Sequence, residues 1–304
     1  MTTTPSSKIL DRSRLEAAYI TFSTMFDMVL ARVPTMFQDI ATVMPVSSKE
    51  VDFKWLGDNP AMQKWVGPRA ISKLRAESHA ITTDNWANGI EVSRDDIADD
   101  KLGLIAPRIS SLAEEGMWKM EALVFEYLNN GFAATSGTCY DGQYLIDSDH
   151  TASGSGGTNQ TNLQAGALTA TTYGQAWDKM GSLVDTRGEK ITMIPDTLLV
   201  GIANRQAARL IVQQAVKASG ETNIEAGSTR LLVNPRVTST NWWLMSTQQS
   251  VRALILLIRQ APQFAAVNTM DDYFAFMNAT FLFGADARFG AGYGLWQTIV
   301  GSTG

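Results

Sequence analysis

The sequence contains very few of the residues on which most redox and nucleophilic sites depend. Among its 304 residues there is one cysteine, Cys139, and there are two histidines, His79 and His150. A single cysteine excludes a framework of internal disulfides and is compatible with a reducing compartment. Any chemistry that needs a thiol or an imidazole must therefore use one of these three side chains.

The sequence also lacks a long apolar segment and an excess of positive charge. No run is long and apolar enough to span a membrane, and the start, MTTTPSSKILDRSRLEAAY, has no apolar stretch behind its charges, so we expect no secretory signal. The net charge is −5, whereas a dedicated nucleic-acid binder normally shows a basic bias. With 45% hydrophobic residues, the chain has a globular profile that can supply one large or two modest cores.

One stretch departs from the pattern of a compact core. Residues 55–67, WLGDNPAMQKWVG, hold two tryptophans with Gly, Asp, Asn and Pro between them and no sustained helical period. The surrounding residues 51–94 contain further charged positions and a β-type alternation in NGIEVSR. We interpret residues 51–94 as a long excursion that protrudes from the rest of the chain.

The excursion is rich in tryptophan and arginine, the residues most enriched at interface hot spots. The alternative is that its tryptophans, like the adjacent pair Trp242 and Trp243, cover the core of their own subunit, and composition leaves both readings open. The subunit-interface candidates are Trp55, Trp65, Arg69, Arg75 and Trp86.

The first half of the chain also predicts two helices. Apolar spacing favours a helix from Arg12 to Phe37, which Pro34 should end or kink. A longer helix is predicted over residues 104–132, ending at a left-handed cap on Gly131. We expect this longer helix to face a sheet through Leu112, Met120 and Leu123.

The second half mixes helices and strands. Asp141-Gly142 between two tyrosines predicts a tight hairpin, and residues 151–162 predict a flexible loop. A helix from Trp177 to Val184, the strand DTLLVG and a helix from Asn204 to Ala218 follow. Near the C-terminus VRALILLIR, FAFMNATFLFGADARFG and GLWQTIVGS predict strands, so the fold class is mixed α+β.

Candidate chemistry is confined to the segment around the single cysteine. Cys139, His150 and nearby aspartates permit a Cys-His-Asp arrangement to be drawn, but the same polar residues can satisfy backbone groups of a hairpin. Asp147, Asp149 and His150 fit no strong metal-ligand spacing, and DDIADD at 95–100 lacks the glycine and glutamate of an EF-hand loop. GSGG and GAGYG match neither a phosphate loop nor a dinucleotide fingerprint. We therefore predict no enzymatic activity, no cofactor and no metal site.

Four segments together resemble the major head subunits of Mu-like tailed phages and prophages. Their order and spacing carry the resemblance, which runs through nearly the whole chain after residue 10. The segments are WLGDNPAMQKWVG, IEVSRDDIADDKLGL leading into the long helix, YDGQYLIDSDH, and ARFGAGYGLWQTIVGS.

The resemblance implies the Hong Kong 97-like capsid fold of tailed phages and herpesviruses. That fold has an N-terminal arm, an extended loop, a peripheral domain with a spine helix, and an axial domain. Carried over to this chain, these parts are an arm and helix at 1–50, the extended loop at 51–94, a peripheral domain at 95–169 with its spine helix at 104–132, an axial domain at 170–245, and return strands of the peripheral sheet with the C-terminus at 246–304.

The same resemblance implies a major capsid protein that assembles through hexamers and pentamers into an icosahedral shell around double-stranded DNA. Trp55 and Trp65 would anchor the loop on a neighbouring subunit, where Arg69 and Arg75 would pair with carboxylates. The partners would be further copies of the chain together with scaffold, portal and decoration proteins. Packaged DNA would be touched only non-specifically, and no membrane would be involved. The protein would be assembled in the host bacterial cytoplasm and reside in the virion capsid.

Two other classes stay open at this point. A ring-forming phage structural or adaptor protein would form small rings instead of closed shells. A hydrolase would use Cys139 or His150, and a Cys139→Ala variant with unchanged behaviour would count against it.

Overall fold

The computed structural model describes residues 12–53, 56, 79–99, 102–150, 159–185, 188–216, 219–269 and 271–304. The chain divides into two compact units, each built from three stretches of sequence. Assignment of the predicted arm, loop, peripheral and axial segments to these units stays a prediction. The first unit consists of Met1–Thr35, Thr83–Glu121 and Ile258–Phe289, and the second of Met36–Thr82, Ala122–Leu257 and Gly290–Gly304.

The described residues form helices and strands throughout, in agreement with a mixed α+β class. The helices are α1 (Arg12–Leu30), α2 (Phe37–Ile40), α3 (Arg94–Ala98), α4 (Leu102–Asn129), α5 (Ala170–Ser182), α6 (Arg205–Val212) and α7 (Tyr273–Asn278). The strands are β1 (Ala41–Pro45), β2 (Glu50–Asp52), β3 (Ala80–Thr82), β4 (Asp84–Ser93), β5 (Thr197–Val200), β6 (Arg230–Val233), β7 (Trp242–Met245), β8 (Leu254–Val267), β9 (Thr280–Tyr293) and β10 (Ile299–Ser302).

The core of the first unit is formed by α1, α3, the first part of α4, and the strands β4 and β9. The two strands pair antiparallel over ten residues, from Asp84↔Phe289 to Ser93↔Thr280. They lie in a sheet whose strand order is β1-β8-β9-β4. Phe22 of α1 is fully buried and meets Phe283 of β9 edge-on, with ring centroids 5.3 Å apart. Removal of these apolar side chains from water is the main favourable contribution to folding of the unit.

The first helix is shorter than predicted. It ends at Leu30, and the N–H of Arg32 then donates to the carbonyl of Val29 at 2.8 Å, which closes a turn before Pro34. Residues that precede a proline are biased away from the helical conformation. The predicted extension to Phe37 is therefore wrong, and Phe37 begins the separate short helix α2.

The long helix predicted at 104–132 is α4, with both ends displaced by two or three residues. After Asn129 the chain forms a 3-10 turn, Asn130–Phe132. Gly131 lies inside that turn, so the predicted left-handed cap is wrong. An added Cβ on Gly131 would lie 3.1 Å from the side chain of Leu145, so this glycine permits close packing.

The buried side of α4 also differs from the prediction at one position. Leu112 and Met120 are buried as expected. Leu123 is only partly buried, and the adjacent Val124 and Phe125 are buried in its place. The predicted buried face is therefore displaced by one residue, which corresponds to a rotation of about 100° around a helix of 3.6 residues per turn.

The second unit contains a sheet in the order β10-β7-β5-β6, in which β5 and β6 run parallel and the other pairs are antiparallel. All four residues of β5 and all four of β7 are buried, as is usual for a sheet covered on both faces. Tyr173 and Met180 of α5 and Val212 of α6 are buried in the same apolar cluster. Trp242 and Trp243 lie in β7 with no exposed surface, so this adjacent pair belongs to the protein's own core.

A two-stranded ribbon formed by β2 and β3 lies at the two ends of the stretch 57–78. Val51 pairs with Ile81, and the N–H of Phe53 donates to the carbonyl of His79 at 2.8 Å, which extends the pairing by one step. Phe53 and Ile81 are buried together in an apolar cluster that also includes Ile255. A ribbon of two strands is marginal in isolation, so this cluster is what holds it.

Several predicted elements of the second half differ from the structure. The helix predicted from Trp177 to Val184 is α5, which begins seven residues earlier, at Ala170, and ends at Ser182. FAFMN belongs to helix α7 and not to a strand, because Asp272 caps the helix by accepting from the N–H of Phe274 at 2.8 Å. Asp141-Gly142 forms a tight turn, in which the N–H of Cys139 donates to the carbonyl of Gln143 at 2.7 Å, but no strands flank it. Helix α6 ends at Val212, well before the predicted Ala218.

Candidate assembly surfaces

The largest exposed apolar side chains of the first unit are concentrated on helix α7. Tyr273 is 78% exposed, Phe276 79% and Met277 60%. At about 150–250 Å² for each large side chain, three such residues expose on the order of 400 Å². That area lies in the range of the largest apolar patch on a typical soluble monomer, and such a patch is often functional.

Helix α7 is held in a fixed conformation although its surface is apolar. Its N-terminus is capped by Asp272, and Ala275 is buried in the core of the first unit. At its C-terminus Ala279 adopts a left-handed conformation, with φ 53°, and its carbonyl accepts from the N–H of Arg94 at 2.9 Å. The exposed side chains are therefore presented by an anchored helix between β8 and β9.

Of the five predicted interface residues, only Trp86 lies among the described residues. It is partly buried on β4, and its indole N–H donates to the carbonyl of Phe289 at 3.1 Å. Its ring stacks on the ring of Phe289 at 5.4 Å, and the Nζ of Lys119 lies 4.3 Å from its centroid. These contacts pack Trp86 within its own unit, where a cation over an aromatic face adds a favourable electrostatic interaction, and its role at a subunit interface stays a prediction.

The other four candidates, Trp55, Trp65, Arg69 and Arg75, lie outside the described residues. Their role stays a prediction. Leu56, which is described, is buried in the cluster at the base of the β2–β3 ribbon.

A groove of about 270 Å³ lies beside Trp86 in the first unit. Gly116 of α4 and Pro262 of β8 meet at its wall, where an added Cβ on the glycine would be 3.0 Å from the proline ring. Lys119, Glu115 and Asp286 place charges of both signs around this groove.

The segment with the candidate cysteine chemistry is buried in the second unit. The Nδ1–H of His150 donates to Oδ2 of Asp141 at 2.7 Å, and the imidazole stacks on Trp296 with centroids 4.0 Å apart. Burial raises the pKa of the Cys139 thiol well above its usual range, and the carboxylates of Asp141 and Asp147 raise it further. A nucleophilic cysteine needs the opposite environment, one that is exposed and favours the thiolate.

His79 occupies a different part of the same region. Its Nε2–H donates to the carbonyl of Tyr293 at 2.9 Å. Burial lowers the pKa of His79, while the bond to Tyr293 and the nearby Asp141 and Asp52 oppose that effect. This imidazole therefore connects the β2–β3 ribbon to the end of strand β9.

Metal binding and membrane insertion find no support in the described parts of the chain. No group of three His, Cys, Asp or Glu side chains in those parts is arranged to hold a metal ion. The pKa of Asp149 is raised, first by a hydrogen bond to Asp147, so these two carboxyls interact with each other. None of the helices in the described ranges combines the length and apolar character needed to cross a lipid bilayer.

The sequence did not predict helix α7 as an exposed surface. The predicted strand FAFMNATFLFGADARFG covers most of this helix, because YFAFM is an uninterrupted apolar and aromatic run. The available signal was Asp271-Asp272 immediately before the run, which is a helix N-cap pattern. A run that follows such a cap and lacks strict alternation favours a short helix.

A long helix beside long antiparallel strands, a second sheet-containing unit and a two-stranded ribbon define an α+β protein with the Hong Kong 97-like capsid fold. A chain of the procapsid of bacteriophage JBD30 matches this one with a TM-score of 0.63 and 24% identity. The match covers 97% of this chain and 76% of that chain. The fold class is therefore that of the capsid proteins of tailed phages.

The chain belongs to the family of the Mu-like prophage major head subunit gpT, whose model matches residues 15–167, 162–237 and 235–304. The Mu-like prophage FluMu major head subunit of Haemophilus influenzae is 28% identical over 284 residues, which cover 93% of this chain and 71% of that protein. The major capsid protein of Escherichia phage Mu is 26% identical over 292 residues, which cover 96% of this chain and 74% of that protein. The chain is thus a phage major capsid protein, a structural component of the virion head.

Proposed function

We propose that this major capsid protein assembles through hexamers and pentamers into an icosahedral shell that encloses double-stranded DNA. Assembly takes place in the cytoplasm of the bacterial host. The observation that carries the proposal is helix α7, which exposes Tyr273, Phe276 and Met277 from an anchored position in the first unit. A subunit that keeps so much apolar surface in water is stabilised when other copies cover it.

Repetition makes a modest contact sufficient for a stable shell. Each copy of the chain carries the same surface, so a contact made once is made at every equivalent position. Linked contacts act together, and the assembly becomes far more stable than any one interface. A patch of about 400 Å² per copy is therefore large enough to contribute, although it is smaller than a complete stable interface.

The excursion supplies a second contact in this proposal. Residues 51–94 act as an extended loop, with Trp55 and Trp65 as anchors on a neighbouring subunit and Arg69 and Arg75 pairing with its carboxylates. The position of the β2–β3 ribbon supports this, because it fixes both ends of the intervening stretch in the second unit. The ring and the N–H of Trp86 are engaged within its own unit, and a contribution of Trp86 to this contact stays an untested prediction.

A shell that packages DNA would also bind other components of the phage head. Scaffold, portal and decoration proteins would bind the shell, and packaged DNA would meet it only through non-specific contacts. A net charge of −5 supports the last point, because an acidic surface does not hold phosphates tightly. The proposal includes no enzymatic step, and the buried thiol of Cys139 with its raised pKa supports that exclusion.

Expression of the chain in bacteria, followed by sedimentation and negative-stain microscopy, tests the proposal. Closed shells or their hexamers and pentamers are the expected products. Small rings only would favour the adaptor alternative. A compact monomer over a wide range of concentrations would contradict shell assembly.

The variant Phe276→Ser tests whether α7 carries the contact, with Phe276→Leu as the matched control that keeps an apolar side chain. Loss of an interface anchor commonly costs about 2 kcal/mol or more, which corresponds to roughly a 30-fold higher concentration threshold for assembly. We expect Phe276→Ser to melt like the wild type but to need this higher concentration, and Phe276→Leu to assemble nearly normally. Equal assembly of Phe276→Ser and wild type would remove α7 from the interface.

A further inference from the structure

The first unit carries a protruding apolar surface and a separate apolar groove. The surface is the exposed side of α7, where Tyr273, Phe276 and Met277 follow the spacing i, i+3, i+4 and so share one face of the helix. The groove of about 270 Å³ lies beside Trp86 and is formed by β4, α4, β8 and β9. Pockets for small molecules commonly measure about 300–1,000 Å³, so a groove of this size is better matched to one or two inserted side chains.

The lining of the groove suits an aromatic or thioether side chain. Three of its residues are small, namely Ala285 and Ala287 of β9 and Gly116 of α4. Trp86, which pairs with Ala287 across the strands and stacks on Phe289, forms a large aromatic wall beside them. Aromatic rings and methionine sulfur both pack favourably against such a wall.

The exposed side of α7 does not fill the groove of its own copy. Tyr273 and Phe276 are 78% and 79% exposed, so the described part of their own chain leaves them largely uncovered. Strand β9 begins at Thr280, directly after α7, whereas its groove residues begin at Ala285. At about 3.3 Å per residue, the near end of the groove lies about 15 Å along the strand from Thr280. The two surfaces are therefore separate and can be occupied by different neighbours.

Charges around the two surfaces are arranged for pairing with each other. Asp271 is exposed just before α7, and the exposed Arg94 lies at the C-terminal end of this helix. The groove carries the opposite set, with Lys119 on one side and the carboxylates of Glu115 and Asp286 on the other. Opposite charges at the rim of a contact favour one orientation of the partners more than they raise the affinity.

A second copy of the chain is the occupant that these observations favour, because every copy carries both surfaces. A contact between two different surfaces of identical chains is head-to-tail, and it produces a ring when the rotation closes. About 400 Å² from α7 and a similar area from the groove give about 800 Å² in total, which is less than the roughly 1,200–2,000 Å² of a stable pair. One such contact is weak, and repetition around a ring makes it effective.

We propose that the exposed face of α7, formed by Tyr273, Phe276 and Met277, inserts into the groove beside Trp86 of a neighbouring copy of the chain. The proposal rests on the self-assembly proposed above and specifies one of its contacts. Insertion covers the apolar face of α7 and the open aromatic wall of the groove in a single step.

The first test compares the lowest concentration at which each variant assembles. Glu115→Trp places an indole at an exposed position on the rim and should block the groove without entering the core. We expect it to raise the threshold roughly 30-fold, as Phe276→Ser does, because each variant removes the same contact. A chain with both substitutions should show about the same rise, whereas independent contacts would multiply the factors to roughly 900-fold.

Glu16→Trp is the matched control for this comparison. It makes the same chemical change at an exposed position of α1 outside the groove, so it should assemble at the wild-type concentration. Circular dichroism of the unassembled chains confirms that each variant is folded. Equal thresholds for Glu115→Trp and wild type, or a multiplied effect in the doubly substituted chain, would overturn the proposal.

The second test traps the contact directly and does not depend on a blocked groove. Full-length chains with Met277→Cys are mixed with chains carrying Glu115→Cys and treated with a short bifunctional maleimide. We expect cross-linked pairs that contain one chain of each kind, identified by mass spectrometry. Met277→Cys mixed with Glu16→Cys should give no such pair, and the buried Cys139 of the wild type should give none either.

The outcomes separate this contact from shell assembly as a whole. Wild-type shells together with no cross-link between positions 115 and 277 would overturn the contact and leave the proposed shell intact. The specific cross-link in chains that form only pairs or open strings would support the contact and contradict the shell. A chain that sediments as a monomer and gives no cross-link at high concentration would contradict both.

Discussion

Trp86 and Phe289 are joined twice across the β4–β9 pair. Their rings stack at 5.4 Å with an interplanar angle of 16°, and the indole N–H of Trp86 donates to the carbonyl of Phe289 at 3.1 Å. Phe289 is fully buried. The pair therefore closes one end of the first unit's strand pairing, next to Asp84↔Phe289 in the register.

Replacement of Trp86 by alanine should destabilise the subunit itself. The change removes the stacked ring, the hydrogen bond and the contact with Lys119, and we expect a loss of about 2 kcal/mol of unfolding free energy, less than for a fully buried tryptophan. Denaturant unfolding of the unassembled chain measures it. Leu104→Ala, at a 76% exposed position of α4, is the control and should change the free energy by no more than about 0.5 kcal/mol. Normal unfolding of Trp86→Ala with failed assembly would return Trp86 to the interface.

Trp65→Ala should show the reverse pattern. If the excursion anchors on a neighbour, the variant keeps normal circular dichroism and cooperative unfolding but assembles poorly, because an interface anchor commonly contributes about 2 kcal/mol or more. Arg69→Ala should act in the same direction and more weakly, since a charge at the rim of an interface contributes less. Monomer melting and shell yield are compared for both variants. An unfolded Trp65→Ala subunit whose folded remainder assembles normally would assign Trp65 to its own core.

The rate at which Cys139 reacts with thiol reagents should report unfolding of the subunit, and the thiol should have no catalytic role. Burial and the neighbouring carboxylates raise the pKa of its thiol, so its thiolate fraction at pH 8 is far below that of a free cysteine. We expect a maleimide or disulfide reagent to react slowly with the native subunit and rapidly in denaturant. Cys139→Ala should assemble with wild-type yield, which separates this structural position from a catalytic one. Rapid labelling of the native subunit at pH 8 would contradict the burial.

The sequence predicted the elements whose periodicity is long and regular. Helix α4 is predicted because its apolar positions repeat over many turns, and the tight turn because Asp141-Gly142 is a turn pair; the structure agrees, with Gly142 at φ 83°. The predicted ends of the helices, and the predicted position of the buried face around α4, were less accurate. Leu123 and Val124 are both apolar and adjacent, so periodicity alone does not decide which one faces the core.

The candidate surfaces were harder to predict than the fold. Trp86 and Trp243 are indistinguishable from interface tryptophans by composition, because a large aromatic side chain suits a core and an interface equally. Trp243 is assigned to the core by its complete burial against Phe132, whereas the partly buried Trp86 packs on Phe289 and its role at an interface stays a prediction. The contact between His79 and Tyr293 was also invisible, since these residues lie far apart in sequence.

Two glycines provide a matched test of how the β2–β3 ribbon is held. A Cβ on Gly292 would lie 2.6 Å from the side chain of Ile81, so in Gly292→Ala the Ile81 side chain or the ribbon itself must shift away from β9. A Cβ on Gly103, within α4, would meet nothing within 4 Å, so Gly103→Ala should be neutral or stabilise the helix by up to about 1 kcal/mol.

Overpacking of this kind costs about 1–3 kcal/mol, and here the cost should be local. We expect Gly292→Ala to raise the hydrogen-exchange rates of the Phe53 and Ile81 amides already at neutral pH, while amides of the β5–β7 pair keep theirs. Gly103→Ala should leave both sets unchanged. Normal protection of Ile81 in Gly292→Ala would mean that the ribbon is not held by its contact with β9.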